Sequence, residues 1–196
     1  MARIVLASAS PARLATLRAA GLDPSVEVSG VDESSVAHTD PRDLSVELAR
    51  LKARAIAASH SDGYVIGCDS VLEFDGLIHG KPGTAEEATR RWRSMRGRSG
   101  VLHTGHCVID VAGGREIARS ADTVVHFAHL DDEEIAAYVA TGEPLNVAGA
   151  FTIDGLGGAY VSGIEGDPHT VVGISLPLLR ELFAELGVSW HTLWSR

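Results

Sequence analysis

Residues 4–13 read Ile4-Val5-Leu6-Ala7-Ser8-Ala9-Ser10-Pro11-Ala12-Arg13. Four apolar residues, two of them β-formers, predict a short buried strand. Ser10 followed by Pro11 predicts a helix start, because the hydroxyl can accept from free amides and the first helical position tolerates proline. Gly21 is the predicted stop of that helix. A strand that runs through two serines into a helix N-terminus points unpaired N–H groups and the helix dipole at one spot, where an anion can bind. Arg13, in the first turn, is placed to bring a bidentate fork to the same spot. An ordinary capped strand-to-helix junction would look the same, so the choice between the two rests on the rest of the chain.

Downstream, 29–35 is polar and turn-like, with Asp32-Glu33 reading as a solvated acidic loop. Asp40-Pro41 starts a helix whose apolar stripe is predicted to be Leu44, Leu48, Leu51 and Ala55, with Lys52 bordering it. Tyr64-Val65-Ile66-Gly67-Cys68 is a predicted buried strand ending at Asp69. Asp75-Gly76 between two apolar runs is a hairpin signal. Thr84 with Glu87, and Asp131 with Glu134, are capping boxes that open two further helices. Two longer strands at about 100–111 and 116–129 join around Gly113-Gly114. Residues 142–173 are glycine-rich with short strands such as Ala159-Tyr160-Val161, and a last helix runs from Leu176 to Leu186. Helices alternate with hairpins rather than with single strands, which predicts an α/β fold with a mixed sheet flanked by helices.

The 196 residues fit one domain with a sizeable core, and 45% hydrophobic with 22% charged residues is ordinary for a soluble protein. No apolar run approaches a membrane span and no cleavable signal pattern stands out, so a cytoplasmic protein without membrane contact is expected. The net charge of −9 argues against nucleic acid as a partner. It also means that any phosphate site must be locally basic or use a bound cation. Cys68 and Cys107 lie far apart in apolar runs and read as buried hydrophobes.

Some motif matches fail. Gly80-Lys81-Pro82 lacks the earlier glycine and the Ser/Thr of a P-loop, and Gly173-Ile174-Ser175-Leu176-Pro177 lacks the second glycine of a nucleophile elbow. His103/His106 and His126/His129 sit three apart in predicted strands, so their rings point to opposite faces and cannot clip one metal; they read as sheet-surface histidines. What survives is an inventory: carboxylates Glu33 and Asp69, cations Arg13, Lys52 and Lys81, and a helix N-terminus with Ser8 and Ser10. That is the set needed to hold a polyphosphate with a divalent ion.

The order of these motifs resembles the Maf family of nucleoside triphosphate pyrophosphatases. The match runs through Ser8-x-Ser10-x-x-Arg13, Glu33, Leu48-Ala49-x-x-Lys52-Ala53, Asp69-Ser70 and Gly80-Lys81-Pro82. It continues in Tyr138-Val139-x-Thr141-Gly142-Glu143-Pro144, Ala148-Gly149-Ala150-Phe151 and Val171-Val172-Gly173 through Leu176-Pro177-Leu178. The resemblance implies a single Maf-like domain over 1–196, of two lobes around a deep central cleft, related to the inosine triphosphatases. It implies a cytoplasmic, often dimeric enzyme that cleaves a nucleoside triphosphate, modified or non-canonical ones included, to monophosphate and pyrophosphate with a divalent metal, Mg²⁺ or Mn²⁺. Members have also been linked to restraint of cell division. By motif match Asp69 is the catalytic acid residue, as base or metal ligand, and Glu33 helps to hold metal or water. Lys52, Lys81 and Arg13 hold phosphates, with Ser8 and Ser10 as the cradle.

One departure bears on the base. The branch similar to dTTP/UTP pyrophosphatases carries Asp-Lys before the Ala-Gly pair and a glutamine shortly after it. Here Asn146-Val147 precede Ala148-Gly149, and Asp154 stands in the glutamine region. This looks more like the branch acting on 7-methyl-GTP and some pyrimidine triphosphates, so Asn146 and Asp154 are the candidate base-selecting residues and a pyrimidine preference stays open. A carboxylate can accept from guanine N–H donors and favours a cationic base. Two other readings stay open: a nucleotide-binding sensor that restrains cell division without turnover, and a phosphohydrolase that releases orthophosphate.

Overall fold

The computed structural model describes residues 3–36 and 38–195. In chain order the elements are β1 (Ile4–Ala7), α1 (Pro11–Ala19), β2 (Ser25–Val26), α2 (Pro41–Ala57), β3 (Tyr64–Phe74), β4 (Leu77–His79) and α3 (Ala85–Met95). There follow β5 (Ser99–Asp110), β6 (Arg115–Phe127), α4 (Asp132–Ala140), β7 (Val161–Glu165), α5 (Pro168–Val172) and α6 (Leu176–Glu185). The strands form one sheet in the order β2-β1-β3-β5-β6-β7, with β4 paired to β3. β1 pairs in parallel with β2 and β3, whereas β3–β4 and β6–β7 are antiparallel, so the sheet is mixed as expected. The hairpin turn lies at Asp75-Gly76, both at positive φ (52° and 71°), the geometry that asparagine, aspartate and glycine adopt most readily. The chain divides into two compact units, and β3, β5 and β6 each contribute to both.

The first unit comprises residues up to Asp69, Thr104–Ala121 and those from Gly173 onward. Strand alternation sorts its core into two layers. Ile4, Leu6, Ile66, Cys68 and Val108 pack with Leu17 of α1 and with Leu179, Leu182 and Phe183 of α6. Val5, Ala7, Val65, Cys107 and Ile109 pack with Ala49, Ala53 and Ile56 of α2. Both faces of β1 are thus covered, which is why its four residues are all apolar. Both cysteines are buried and free, as their apolar surroundings predict.

The buried face of α2 differs from the predicted stripe. Ser45, Leu48, Ala49, Lys52, Ala53 and Ile56 are buried, while Ala55 is exposed and Leu44 and Leu51 are half-buried. The cause lies in the sheet. A Cβ on Gly67 of β3 would fall 2.2 Å from the Ala49 carbonyl oxygen, and one on Gly105 of β5 would fall 2.1 Å from that of Ser45. Two glycines therefore let the helix backbone approach the strands directly, which selects small residues for the contact and turns Lys52 inward.

The second unit, Ser70–His103 with Asp122–Val172, is built around Trp92 of α3. Its ring meets Phe127, Tyr138 and Tyr160 edge-on at 5.6, 5.6 and 6.0 Å, and its Nε1 donates to the Ala150 carbonyl at 2.8 Å. The Asp131–Glu134 capping box is complete. At Thr84 only half of the expected box forms, because the Glu87 carboxylate turns to Arg90 and Arg91 instead. Residues Leu156–Tyr160 form a 3₁₀ turn, so the expected strand there begins only at Val161.

His103 and His106 are buried, not on the sheet surface, and His129 lies beyond the end of β6. His103 sits between Asp122 (Nδ1 to Oδ1, 2.9 Å) and Glu73 (Nε2 to Oε2, 3.1 Å). Burial opposes its protonation, yet the hydrogen bonds to Asp122 and Glu73 outweigh burial and raise its pKa above the usual value. A raised pKa gives stability that is fully present below about pH 6.5 and is lost as pH rises through the higher folded value. The melting temperature of the wild type is therefore expected to fall relative to that of His103→Gln as the pH rises above about 6.5. Parallel pH profiles for the two proteins would contradict this.

Candidate active site

β1 ends at Ala7, paired with Gly67, and its chain then turns into α1. The turn holds itself in shape. Ser10 Oγ accepts from the Arg13 N–H as the N-cap, while Ser8 Oγ accepts from the Ser10 N–H at 3.2 Å and from Arg13 Nη1 at 3.1 Å. A cap of this kind is worth about 1 kcal/mol. Gly21, at φ 87°, follows the last turn of α1 as expected.

Asp69 does not end its strand. β3 continues for five residues beyond it, but the parallel ladder with β1 stops at Gly67. Asp69 thus stands just past the end of β1, on the side where the β1–α1 turn begins. Arg13 crosses this edge, with Nη1 donating to the Cys68 carbonyl at 3.0 Å and Nε to the Gly173 carbonyl at 2.8 Å. The expected fork toward an anion is in part directed at the protein's own chain. Gly173 has φ 109°, and a Cβ there would fall 2.9 Å from Arg13 Nε, so glycine is what lets the guanidinium lie against the backbone.

Lys52 projects from the buried face of α2 to the same place. Its Nζ lies 2.5 Å from Asp69 Oδ1 and 2.7 Å from Glu33 Oε1. Asp69 and Lys52 are both buried, whereas the Glu33 side chain is 45% exposed. Glu33 is not merely part of a solvated loop. Asp32 caps a short 3₁₀ turn, Glu33–Ser35, and Glu33 pairs with the lysine. Burial pushes the Asp69 carboxyl above its ordinary range, while the nearby charges of Lys52 and Arg13 pull it back. The result is a carboxylate more basic than an exposed aspartate.

Six of the sequence-predicted residues therefore meet in the first unit: Ser8, Ser10, Arg13, Glu33, Lys52 and Asp69. Lys81, Asn146 and Asp154 belong to the second unit and are exposed. Their backbone segments are stitched together there. The Gly149 N–H donates to the Gly80 carbonyl at 3.2 Å and the Gly83 N–H to that of Leu145 at 3.0 Å. Glu143 accepts from Tyr138 Oη, Thr152 Oγ1 and the amides of Leu156 and Gly157, which fixes the segment around Asp154. Sequence reasoning missed Gly173 as the anchor of Arg13 and Glu143 as the anchor of this loop. Both stand inside the motif matches, where their residue types were visible but their partners were not.

Asp69 and Glu33 offer two hard oxygen donors that already converge on one cation, the Lys52 ammonium. Among the described residues no group of three His, Cys, Asp or Glu could hold a metal by itself. Two carboxylates suit Mg²⁺, which is held through one or two of them together with substrate phosphates. Among the described residues no helix is long and apolar enough to cross a membrane.

Comparison with known proteins identifies the family. A "Nucleoside triphosphate pyrophosphatase" of Salinispora tropica is 63% identical over 99% of this chain and 88% of its own length. The protein of the same name from Streptomyces coelicolor is 56% identical over 98% of this chain and 95% of its own length. Among solved structures, the Ham1 protein of Staphylococcus aureus aligns with 64% of this chain and 72% of its own, at 17% identity and a TM-score of 0.45. The family described as Maf-like protein matches residues 3–186. With nearly the whole length matched, the chain belongs to the Maf-like protein family.

Proposed function

We infer that this chain is a nucleoside triphosphate pyrophosphatase, hydrolysing its substrate to the nucleoside monophosphate and pyrophosphate. Relatives at 50–63% identity over nearly the whole chain bear that name. The observation that carries the chemistry is the buried Asp69 carboxylate held against Lys52 beside the β1–α1 turn. In this reading Asp69, its basicity raised by burial, accepts a proton from water as the water oxygen bonds to the α-phosphorus. The bond from that phosphorus to the α–β bridging oxygen breaks, and pyrophosphate leaves. Lys52 and Arg13 stabilise the charge that builds on the leaving group, and Ser8 and Ser10 shape the cradle. Lys81 takes a phosphate contact, and Asn146 and Asp154 select the base, each by its place in the motif order.

The four charges gathered in the first unit cancel, Arg13 and Lys52 against Glu33 and Asp69, so a triphosphate brings negative charge that this group leaves unneutralised. Asp69 and Glu33 would hold a divalent ion, Mg²⁺ or Mn²⁺, which supplies that neutralisation when bound with the nucleotide. A cytoplasmic homodimer completes the reading, and light scattering of the purified protein tests the dimer.

A panel of pyrimidine, canonical purine and methylated purine triphosphates, each incubated with Mg²⁺, tests the activity. Pyrophosphate and monophosphate in equal amounts are expected, with the methylated purine among the better substrates. Orthophosphate as the product would instead make the protein a phosphohydrolase. Binding without any product would make it a sensor.

A further inference from the structure

We propose that His106 is a positioning residue for Arg13, acting by fixing the Gly173 carbonyl on which the guanidinium is held. The proposal rests on the reading of Arg13 as a phosphate-binding residue. His106 lies in β5 at 0% exposure, and neither the proposed chemistry nor the motif matches make use of it. Its Nδ1 stands 2.9 Å from the Thr104 carbonyl oxygen, and its Nε2 receives the Ser175 N–H at 2.7 Å. A carbonyl oxygen only accepts and a backbone N–H only donates. The ring is therefore neutral, with its proton on Nδ1 and a bare lone pair on Nε2. Two backbone groups set that tautomer, and a proton on Nε2 would put two donors face to face.

Ser175 is a rigid point. It is 2% exposed and caps α6, with its Oγ accepting from the Leu178 N–H at 3.2 Å and its carbonyl from that of Leu179 at 3.0 Å. Two residues upstream, Gly173 presents its carbonyl to Arg13 Nε at 2.8 Å. Residues 173–175 are thus clamped at one end by His106 and the start of α6, and the arginine is held at the other. Two further Arg13 contacts, to Ser8 Oγ and the Cys68 carbonyl, act through Nη1, so the Gly173 carbonyl holds the Nε side of the guanidinium. Without the His106 acceptor the buried Ser175 N–H loses its partner, a loss a buried donor does not tolerate. The segment must then turn to find another acceptor, which draws the Gly173 carbonyl away from Arg13 Nε and loosens that side of the guanidinium.

Two polar substitutions separate this role from a general contribution to the core. Glutamine can place an amide oxygen where Nε2 stands, whereas asparagine reaches only as far as Nδ1. His106→Asn is expected to raise KM for the triphosphate about tenfold with kcat changed less than about threefold, and His106→Gln to stay within about twofold of wild type in both. In an Arg13→Met background the Asn substitution is expected to add no further change in KM. Equal effects of Asn and Gln, or a full Asn effect without Arg13, would overturn the proposal. An Arg13→Met variant with unchanged KM would instead overturn the phosphate-binding reading of Arg13, and this proposal with it. A second measurement needs no variant. The ¹⁵N spectrum of the wild-type ring is expected to show the Nδ1–H tautomer, with the Arg13 Nε–H protected from exchange. An Nε2–H tautomer or an imidazolium in the active protein would overturn the proposal.

Discussion

Replacing Asp69 with asparagine is expected to lower turnover by ~10²-fold or more, with folding retained. Asparagine keeps the shape of the side chain but removes the basic oxygen and its charge. Removing one partner of a buried ion pair is usually strongly destabilising, because the other charge is left stranded. Here Glu33 stays 2.7 Å from Lys52 Nζ, so the buried ammonium keeps a charged partner that is itself 45% exposed. The loss should therefore appear in pyrophosphate release and scarcely in thermal denaturation. Near-normal turnover in this variant would sink the assignment of Asp69, and an unfolded variant would show that the carboxylate is needed for structure.

Gly105→Ala is expected to destabilise the fold by about 3 kcal/mol or more, at the upper end of what overpacking costs. The new Cβ would fall 2.1 Å from the Ser45 carbonyl oxygen, 2.2 Å from its carbon and 2.5 Å from the Val46 nitrogen. All three are backbone atoms of α2, so no rotamer change relieves the clash and the helix itself has to lift. Gly67→Ala should act alike through the Ala49 carbonyl. Lys52 lies on the same face of α2, so a lifted helix also carries its ammonium away from Asp69. Denaturant unfolding and pyrophosphate release should then fall together. An unfolding free energy within about 0.5 kcal/mol of wild type would show that the close approach of helix and strand is not needed.

These two expectations differ in how far the sequence could have supplied them. Asp69, Lys52 and Glu33 were legible as a set because their spacing and order survive in the chain itself. The β1–α1 junction, the Asp75-Gly76 hairpin and the Asp131–Glu134 box were legible for another reason: each is a contact within a few residues. The buried face of α2 was not, because it is chosen by Gly67 and Gly105, which no periodicity within the helix can reveal. Lys52 and Ser45 are polar, and a hydropathy stripe places such residues outside. Asp69 seemed to end a strand because the apolar run stops there, whereas the strand continues through its pairing with β4. His106 read as a surface residue because its partner, the Ser175 amide, is 69 positions away. Spacing tests for metal chelation are blind to a histidine whose two ring nitrogens both face backbone groups.

The proposed role of the β1–α1 turn as a phosphate cradle has a consequence for the Ser8 hydroxyl. An alcohol oxygen has two lone pairs and one hydrogen. In Ser8 both lone pairs are engaged from within the chain, one by the Ser10 amide and the other by Arg13. Only its hydrogen is left to offer. The residue has become a one-way donor, able to greet a phosphoryl oxygen and unable to greet an amine or a water proton. A common, ambivalent side chain has thus been given a polarity by its neighbours, and in the proposed site that polarity favours a phosphate before the nucleobase is met.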